Sequence, residues 1–453
     1  MKLVFVNIMH DLYQLDSPTS VSQPPVPLAV LNTVTPKAIE TALLDEQTDE
    51  IRFDGDVFAF TVATQYAGKV YRYADTLRAA GKKVILGGIH VTVRPEEAMR
   101  HADAVVTGEG EILWPRLCED LQSGRLKECY TGSPTPSLQM IPVDYRFFGN
   151  RRYRLPAALF ATRGCNYGCS FCVSSRYMGP FRTKPLDVLE REIDQLHDLH
   201  PRAFLQFSDD NLLADRGYGA EVLALVRRKK MRFVTMVTLD QLCDGALMQE
   251  MASSGCLGVA VGIESVDDDT CLSVGKGHNV GQPLREAVRH ANEIGIQVCA
   301  LLIVGFPHDT PERLARTQRF LQQIPCSLYD LRVLRIYPGS PLYARMLSQG
   351  DVTEDWWLGN EPVSTNYFLP GNLRVHFRHS HFSPTQLQHS TLTLSRELNR
   401  MNRQAAAHVL GVGRRRSAWG LAASLLIARS QKTKQARNLL KRVEQAMTTS
   451  ERQ

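Results

Sequence analysis

No stretch of the 453-residue chain reaches the roughly 18 consecutive apolar residues that a bilayer-spanning helix requires, so no such helix is expected. The opening Met1-Lys2-Leu3-Val4-Phe5-Val6-Asn7-Ile8 turns polar at His10-Asp11 and lacks the length and cleavage site of a signal peptide. Of the ten cysteines, three cluster and the rest scatter without framework spacing, which suits a reducing compartment better than a secreted disulfide scaffold. A reducing, cytoplasmic setting is expected instead. Charge of one sign is also scarce: a net +6 permits an anionic partner without demanding one. Gly275-Lys276-Gly277 lacks the full phosphate-loop spacing. There is no dedicated nucleic-acid module, and no nucleic-acid partner is expected. What remains is an ordinary globular composition, 43% hydrophobic and 22% charged, long enough for roughly three domains.

The stretch that organises the chain is Arg163-Gly164-Cys165-Asn166-Tyr167-Gly168-Cys169-Ser170-Phe171-Cys172. Three thiols share one polar turn after the apolar run Leu155–Ala161, which reads as a buried strand. Thiolates at this spacing suit a [4Fe–4S] cluster with three protein-bound irons and a fourth open to another ligand. A structural zinc site usually takes four ligands as two pairs; here a fourth would have to arrive from a distant part of the chain.

The spacing, with Phe171 before the last Cys, resembles the signature of the radical S-adenosylmethionine (SAM) superfamily. The resemblance implies that Cys165, Cys169 and Cys172 hold the cluster. It also implies that the open iron chelates SAM and that cluster reduction of SAM yields a 5′-deoxyadenosyl radical.

In the first third, apolar runs at Leu3–Ile8, Val57–Val62, Lys83–Leu86 and Ala104–Val106 alternate with helical spacing at Tyr66–Ala80, Pro95–His101 and Glu111–Gln122. Gln14–Thr35 reads as a proline- and serine-rich loop, and Pro36–Leu44 as a helix opened by its proline. The alternation predicts βαβ units in a doubly wound parallel sheet, with ligands outside the carboxyl ends of its strands. Those ends carry Thr61 and Thr64, Gly87-Gly88-Ile89-His90, and Gly108-Glu109-Gly110. From the residues alone they suit a nucleotide site, a flavin site or tight turns. "GGIHVTVRPEEA" followed by "ADAVVTGEGE" resembles the cobalamin (B12)-binding domain of the class that includes hopanoid methylases and the anaerobic magnesium-protoporphyrin cyclase. That implies cobalamin contacts from Thr61, Thr64, Gly87, Gly88, Gly108 and Glu109. The Asp-x-His-x-x-Gly motif that would supply a cobalt ligand is absent, and His90 reads as a satisfied loop histidine.

From Leu155 the alternation resumes, with apolar runs at Ala203–Phe207, Phe233–Val237, Leu257–Val261, Val298–Val304 and Leu328–Leu334. About six βα steps are too few to close an eight-stranded barrel, and the resemblance implies a partial (β/α)6 barrel of TIM type. Its strand ends hold Asp209-Asp210, suited to SAM's ammonium or to capping the next helix, and Gly262-Ile263-Glu264-Ser265. Glu264 is the stronger SAM candidate, because a carboxylate at a strand mouth needs a partner. Phe171 and the Gly305 stretch are implied SAM contacts, with Thr238 and Asp240 weaker ones. Gly275-Lys276-Gly277-His278 resembles a segment common in the class, and Tyr337 reads as a wall.

The expected division is 1–125 for the cobalamin-binding-like Rossmann domain, 126–153 for a linker, 154–345 for the barrel and 346–453 for a mainly helical, substrate-shaping region. His379 and His381 would share a face of an extended segment, but two ligands do not make a metal site. Arg414-Arg415-Arg416 before Trp419–Ala428 reads as a packed hairpin with a basic face, or as a peripheral contact with an anionic membrane.

The chain is thus expected to be a cobalamin-dependent radical SAM methyltransferase, moving a methyl group from methylcobalamin to an unactivated carbon. Its partners would be an electron donor such as flavodoxin or ferredoxin and a small-molecule, lipid or peptide substrate. The rivals are cyclisation, ring contraction or another rearrangement on the same fold, and a non-catalytic cobalamin or cluster sensor.

Overall fold

The computed structural model describes residues 1–8, 22–132, 143–352, 355–359 and 375–412, with side chains described to residue 398. The first sheet comprises β1 (Lys2–Asn7), β2 (Glu40–Asp45), β3 (Val57–Thr61), β4 (Lys83–Gly87), β5 (Ala104–Thr107) and β6 (Cys129–Thr131). Their order is β2-β1-β3-β4-β5-β6, parallel throughout. Strands β1, β3, β4 and β5 are apolar on both faces because helices cover both, the usual condition of a parallel sheet. The strand order reverses between β1 and β3, which opens a ligand crevice beyond their carboxyl ends.

Three expectations fail here. Residues 40–45 form β2, not a helix: Leu3 pairs with Thr41 and Asn7 with Asp45. Only the second half of this edge strand is buried, so its pattern imitates an amphipathic helix. The proline-rich stretch read as loop contains the helix Val26–Val34, with Pro27 in its first turn, where a missing N–H costs nothing. The segment read as linker supplies β6 to the first sheet and a 3-10 turn, Tyr145–Phe148, capped by Asp144.

The second sheet begins at β7 (Ala158–Leu159). An antiparallel ribbon follows, β8 (Thr162–Arg163) with β9 (Arg182–Thr183), and then β10 (Leu205–Phe207), β11 (Phe233–Thr238), β12 (Cys256–Glu264), β13 (Gln297–Val304) and β14 (Leu328–Val333). Six parallel strands in the order β14-β13-β12-β11-β10-β7 leave the barrel open, as expected. Of the predicted Leu155–Ala161 strand only Ala158 and Leu159 pair, with Gln206 and Phe207. Pro156 lacks the N–H a longer ladder would need. The helices Leu186–Leu199, Arg216–Arg228, Gly245–Ser253, Leu284–Glu293 and Pro311–Leu321 alternate with these strands.

Beyond the barrel, the helix Pro384–Val412 lays Leu387, Leu392, Leu394 and Leu398 into the core beside β14. Arg414-Arg415-Arg416 and Trp419–Ala428 lie outside the described residues. Among the described residues no helix is long and apolar enough to cross a membrane.

Candidate functional site

The cysteine turn leaves β8 and is clamped from two sides. Ser170 N–H donates to Val274 O (2.9 Å), and Leu342 N–H donates to Ser170 O (2.8 Å). Tyr167 stacks on His278, with ring centroids 3.8 Å apart, and donates to Asp240 (3.1 Å). The Gly275–His278 segment therefore braces the turn.

Cys165, Cys169 and Cys172 are unbridged and half-buried. Burial pushes the Cys165 thiol up and the Cys169 thiol up to about 11; the Lys276 cation acts in the opposite direction on Cys169. A donor set of three such thiols favours a group that brings positive charge to the turn. It fits a cluster with one iron left open. Among the described residues no group of three or more His, Cys, Asp or Glu side chains could hold a metal ion. Cluster thiolates each bind a different iron and need not converge on one point.

Glu264 ends β12 where the register shifts between Gly262 and Glu264. Its carboxylate meets Lys276 Nζ at 3.1 Å, and Lys276 also donates to Gly262 O at 2.5 Å. The pair lies beside Cys169, whose thiol senses both charges. The sequence alone gives Lys276 no partner. Its partner lies 12 positions away, so no local pattern announces the pair.

The two adjacent aspartates divide. Asp209 is buried and accepts from Thr162 Oγ1 (2.6 Å) and Ala161 N–H (3.0 Å), pinning the start of β8 rather than facing outward. Burial pushes its carboxyl up to about 6. Asp210 and Ser208 line a cavity between the two sheets. Neither caps the following helix, which Asp215 does. The hydroxyls of Ser170 and Ser208 and the second carboxylate oxygen of Asp209 are buried without partners. The unpaired Ser170 hydroxyl within the cysteine turn and that of Ser208 in the cavity wall suit polar ligand groups.

Gly305 takes φ +102°, and a Cβ there would come within 2.7 Å of Leu387 Cδ2. The C-terminal helix, not a ligand, fills that side. Phe171 packs on Phe306, with centroids 5.6 Å apart. His379 Nε2 meets Phe306 O at 2.8 Å, which engages the histidine with the barrel. Tyr337 stands edge-on to Trp356. Thr238 forms a capping box with Gln241.

A cavity of about 330 Å3 separates the two sheets. Its floor is apolar, with Leu28, Ile85, Val106 and Trp114 among the lining residues. The first sheet contributes Thr61, Gly87, Gly88, Gly108 and Glu109, and the barrel side contributes Arg163, Tyr177, Ser208 and Asp210. Five of the six residues expected around cobalamin are thus brought together. The sixth, Thr64, points elsewhere, its hydroxyl 3.3 Å from His90 Nδ1. An apolar interior with polar groups from Arg163 and Ser174, which flank the cysteine turn, suits a large ligand with polar substituents. Gly108 is required by the backbone as well: at φ +73° its Cβ would meet Gly132 O at 2.3 Å.

His90 is satisfied, as expected. It is fully buried, and its Nε2 lies 3.0 Å from Glu97, which also accepts from Tyr71 (3.0 Å) and Trp357 (3.2 Å).

A partial barrel that presents three thiols at its mouth, facing a doubly wound domain across a shared cavity, defines an enzyme that pairs an open iron–sulfur cluster with a second large cofactor. Residues 159–321 match the Radical SAM superfamily and residues 34–117 the B12 binding domain. The chain is 28% identical over 349 residues to bacteriochlorophyllide d C-8(2)-methyltransferase of Chlorobaculum tepidum, covering 73% of this chain and 77% of that one. It is 29% identical over 334 residues to the C-12(1)-methyltransferase of the same organism, covering 71% and 73%. Its fold matches TsrM, a radical SAM methyltransferase from Kitasatospora setae solved with cobalamin and a [4Fe–4S] cluster. That match has a TM-score of 0.63 at 17% identity over 88% of both chains. The chain thus carries both a Radical SAM domain and a B12-binding domain, and its cofactors are a [4Fe–4S] cluster, SAM and cobalamin. The reading as a cobalamin-dependent radical SAM methyltransferase holds, and the non-catalytic sensor does not. Such an enzyme draws on an external reductant.

Proposed function

We propose that this enzyme methylates an unactivated carbon of a small molecule held between the cysteine turn and the inter-sheet cavity. One observation carries the assignment of places: the same cavity is walled by strand ends of the first sheet and by residues flanking the cysteine turn. When bound, the cluster and SAM supply a 5′-deoxyadenosyl radical and cobalamin supplies a transferable methyl group.

The chain's own residues then have distinct tasks. Cys165, Cys169 and Cys172 hold the cluster. Glu264, oriented by Lys276, and Asp210 receive the polar end of SAM. Phe171 and Phe306 close the side opposite the solvent. Thr61, Gly87, Gly88 and Gly108 let the backbone approach the corrinoid, while Leu28, Ile85 and Trp114 exclude water from it. Asp209 and Glu109 act on protein neighbours and orient the walls.

In this reading residues 1–125 carry cobalamin, 126–153 add β6 to the same sheet and lead into the barrel, 154–345 carry the cluster and SAM, and 346–453 shape the substrate side. The methylated bacteriochlorophyllides named for its relatives make an apolar small molecule the first substrate class to test, ahead of a lipid or a peptide. A flavodoxin or ferredoxin would deliver the electron in a cytoplasmic setting. The basic segment after residue 412 would supply any contact with an anionic membrane.

The test is anaerobic reconstitution with iron and sulfide, addition of hydroxocobalamin, desalting, and corrinoid absorbance per chain. Near one per chain, with SAM cleavage that Cys169→Ala abolishes, supports the reading. No retained corrinoid in a chain with an intact cluster overturns it.

A further inference from the structure

Arg163 on β8 and Arg182 on β9 are direct register partners in the antiparallel ribbon. Like charges placed opposite one another destabilise a strand pair, and both guanidiniums are largely withdrawn from water, with side chains 20% and 5% exposed. The ribbon supplies no carboxylate of its own to offset them. Both carboxylates come from the first domain. Glu109 takes Arg182 in a two-point grip, with Oε1 2.7 Å from Nη2 and Oε2 3.0 Å from Nη1. The same Oε1 lies 3.3 Å from Arg163 Nη1. Glu111, in the first turn of the helix Gly110–Gln122, also pairs with Arg163. Arg182 is then saturated by the carbonyls of Pro180 (3.0 Å) and Met178 (2.5 Å).

The network joins two places that nothing in the sequence connects. Glu109 follows Gly108 directly in the cavity wall, and Arg163 stands two residues before Cys165. A ligand that fixes the loop at the end of β5 therefore fixes the carboxylate on which both arginines depend, and through Arg163 the start of the cysteine turn. A buried four-charge set of net zero charge tolerates displacement poorly, because any gap leaves a desolvated ion unpaired.

Resting on the reading under Proposed function, we propose that Glu109, Glu111, Arg163 and Arg182 are positioning residues. They make the order of the cluster-binding turn depend on occupation of the cavity by the corrinoid.

The test measures the rate at which a ferrous chelator strips iron from the reconstituted full chain, with and without hydroxocobalamin at concentrations that saturate each variant. In the unaltered chain the corrinoid should slow iron release by about tenfold, within the usual range of coupling between sites. In Arg182→Met and Glu109→Gln the two rates should agree within about twofold even with corrinoid bound. Arg182→Lys, which keeps the charge but loses the two-point grip, should fall between. Should the Arg182→Met chain fail to fold, Glu111→Gln, which removes one Arg163 contact at a helix start, should still lose at least half of the effect. Undiminished protection in the folded variants, or no protection in an unaltered chain that retains corrinoid, overturns the coupling alone. An unaltered chain that retains no corrinoid overturns the functional reading and the coupling together.

Discussion

Glu264 reaches Lys276 Nζ at 3.1 Å from a backbone held at φ +59°, a left-handed conformation that side chains rarely adopt. Such a residue costs about 1–3 kcal/mol and persists where its surroundings over-determine it. Here they do: Lys276 and Asn279 both donate to Gly262 O, and Asn279 donates to Ile263 O at 2.9 Å. The kink turns the carboxylate away from the run of β12 and sets it beside Cys169. Glu264→Gly should relieve that backbone strain, because glycine takes this φ freely, and should lose the Lys276 ion pair, leaving the ammonium only Gly262 O, so its net effect on stability should be small. SAM cleavage should nevertheless fall by at least about tenfold, the loss of roughly 1.4 kcal/mol of stabilisation. Lys276→Met should cost about 3 kcal/mol by stranding the carboxylate. Urea unfolding and a 5′-deoxyadenosine assay separate the two effects, and a Glu264→Gly chain that cleaves SAM normally would remove Glu264 from the site.

The fully buried carboxyl of Asp209 gives a pH signature. Burial raises it to about 6 against the hydrogen bonds from Thr162 and Ala161. In the unfolded chain it titrates near about 3.9. Between these values the folded chain holds more protons, so this group's contribution makes stability fall as pH rises from about 4 to about 6, by at most about 1.4 kcal/mol per unit. Asp309, raised to about 6 by burial beside Gly305 and Phe306, acts with the same sign. Asp209→Asn should accordingly remove about half of that slope while gaining stability at pH 7 relative to pH 4. The check is urea midpoints of the cofactor-free chain across that window; parallel profiles for the two proteins would show that Asp209 is not the titrating group.

The missing side chain of Gly305 is tied to Leu387. A Cβ at 305 would meet the leucine at 2.7 Å, and φ +102° strains any other residue. Leu387→Ala should cost about 2–5 kcal/mol, the usual range for a buried leucine. Gly305→Ala should cost at least as much. In the double variant the clash disappears, so the combined loss should fall short of the sum by about 1 kcal/mol or more. Simple additivity would mean that backbone strain alone governs position 305. The same packing, through four buried leucines, makes the helix from Pro384 part of the barrel's stability.

Much of this was legible in the sequence for a physical reason. Barrel strands buried on both faces appear as unbroken apolar runs, and cluster ligands must sit close together, so β11 to β14 and the cysteine turn announce themselves locally. The half-buried edge strand β2 did not, because three buried residues at one end fit a helix face as well as a strand. Glu109 was found in its place but not in its role, since its partner Arg182 lies 73 positions away. The partner of Trp357 had no local signal: the carboxylate that receives its indole N–H is 260 positions distant.

That indole contact bears on the one histidine of the first domain that invites a cobalt-ligand assignment. His90 spends Nε2 on Glu97 and Nδ1 on Thr64, and no ring nitrogen remains for a metal. Glu97 in turn accepts from Tyr71 and Trp357, so the cluster fastens the C-terminal segment onto the first domain. Its carboxyl is held below the ordinary value: burial works against this, and the His90, Trp357 and Tyr71 hydrogen bonds prevail. Removing the ring would leave that carboxylate short of a donor, at a cost of about 1–3 kcal/mol. His90→Gln, whose amide can still donate to Glu97, should recover most of that loss, whereas His90→Ala should not. Both variants should retain as much corrinoid per chain as the unaltered protein, with an unchanged absorption spectrum. A shifted spectrum in His90→Gln, or loss of corrinoid from it, would place His90 on the cobalt after all and would make the Glu97 contact a feature of the corrinoid-free state.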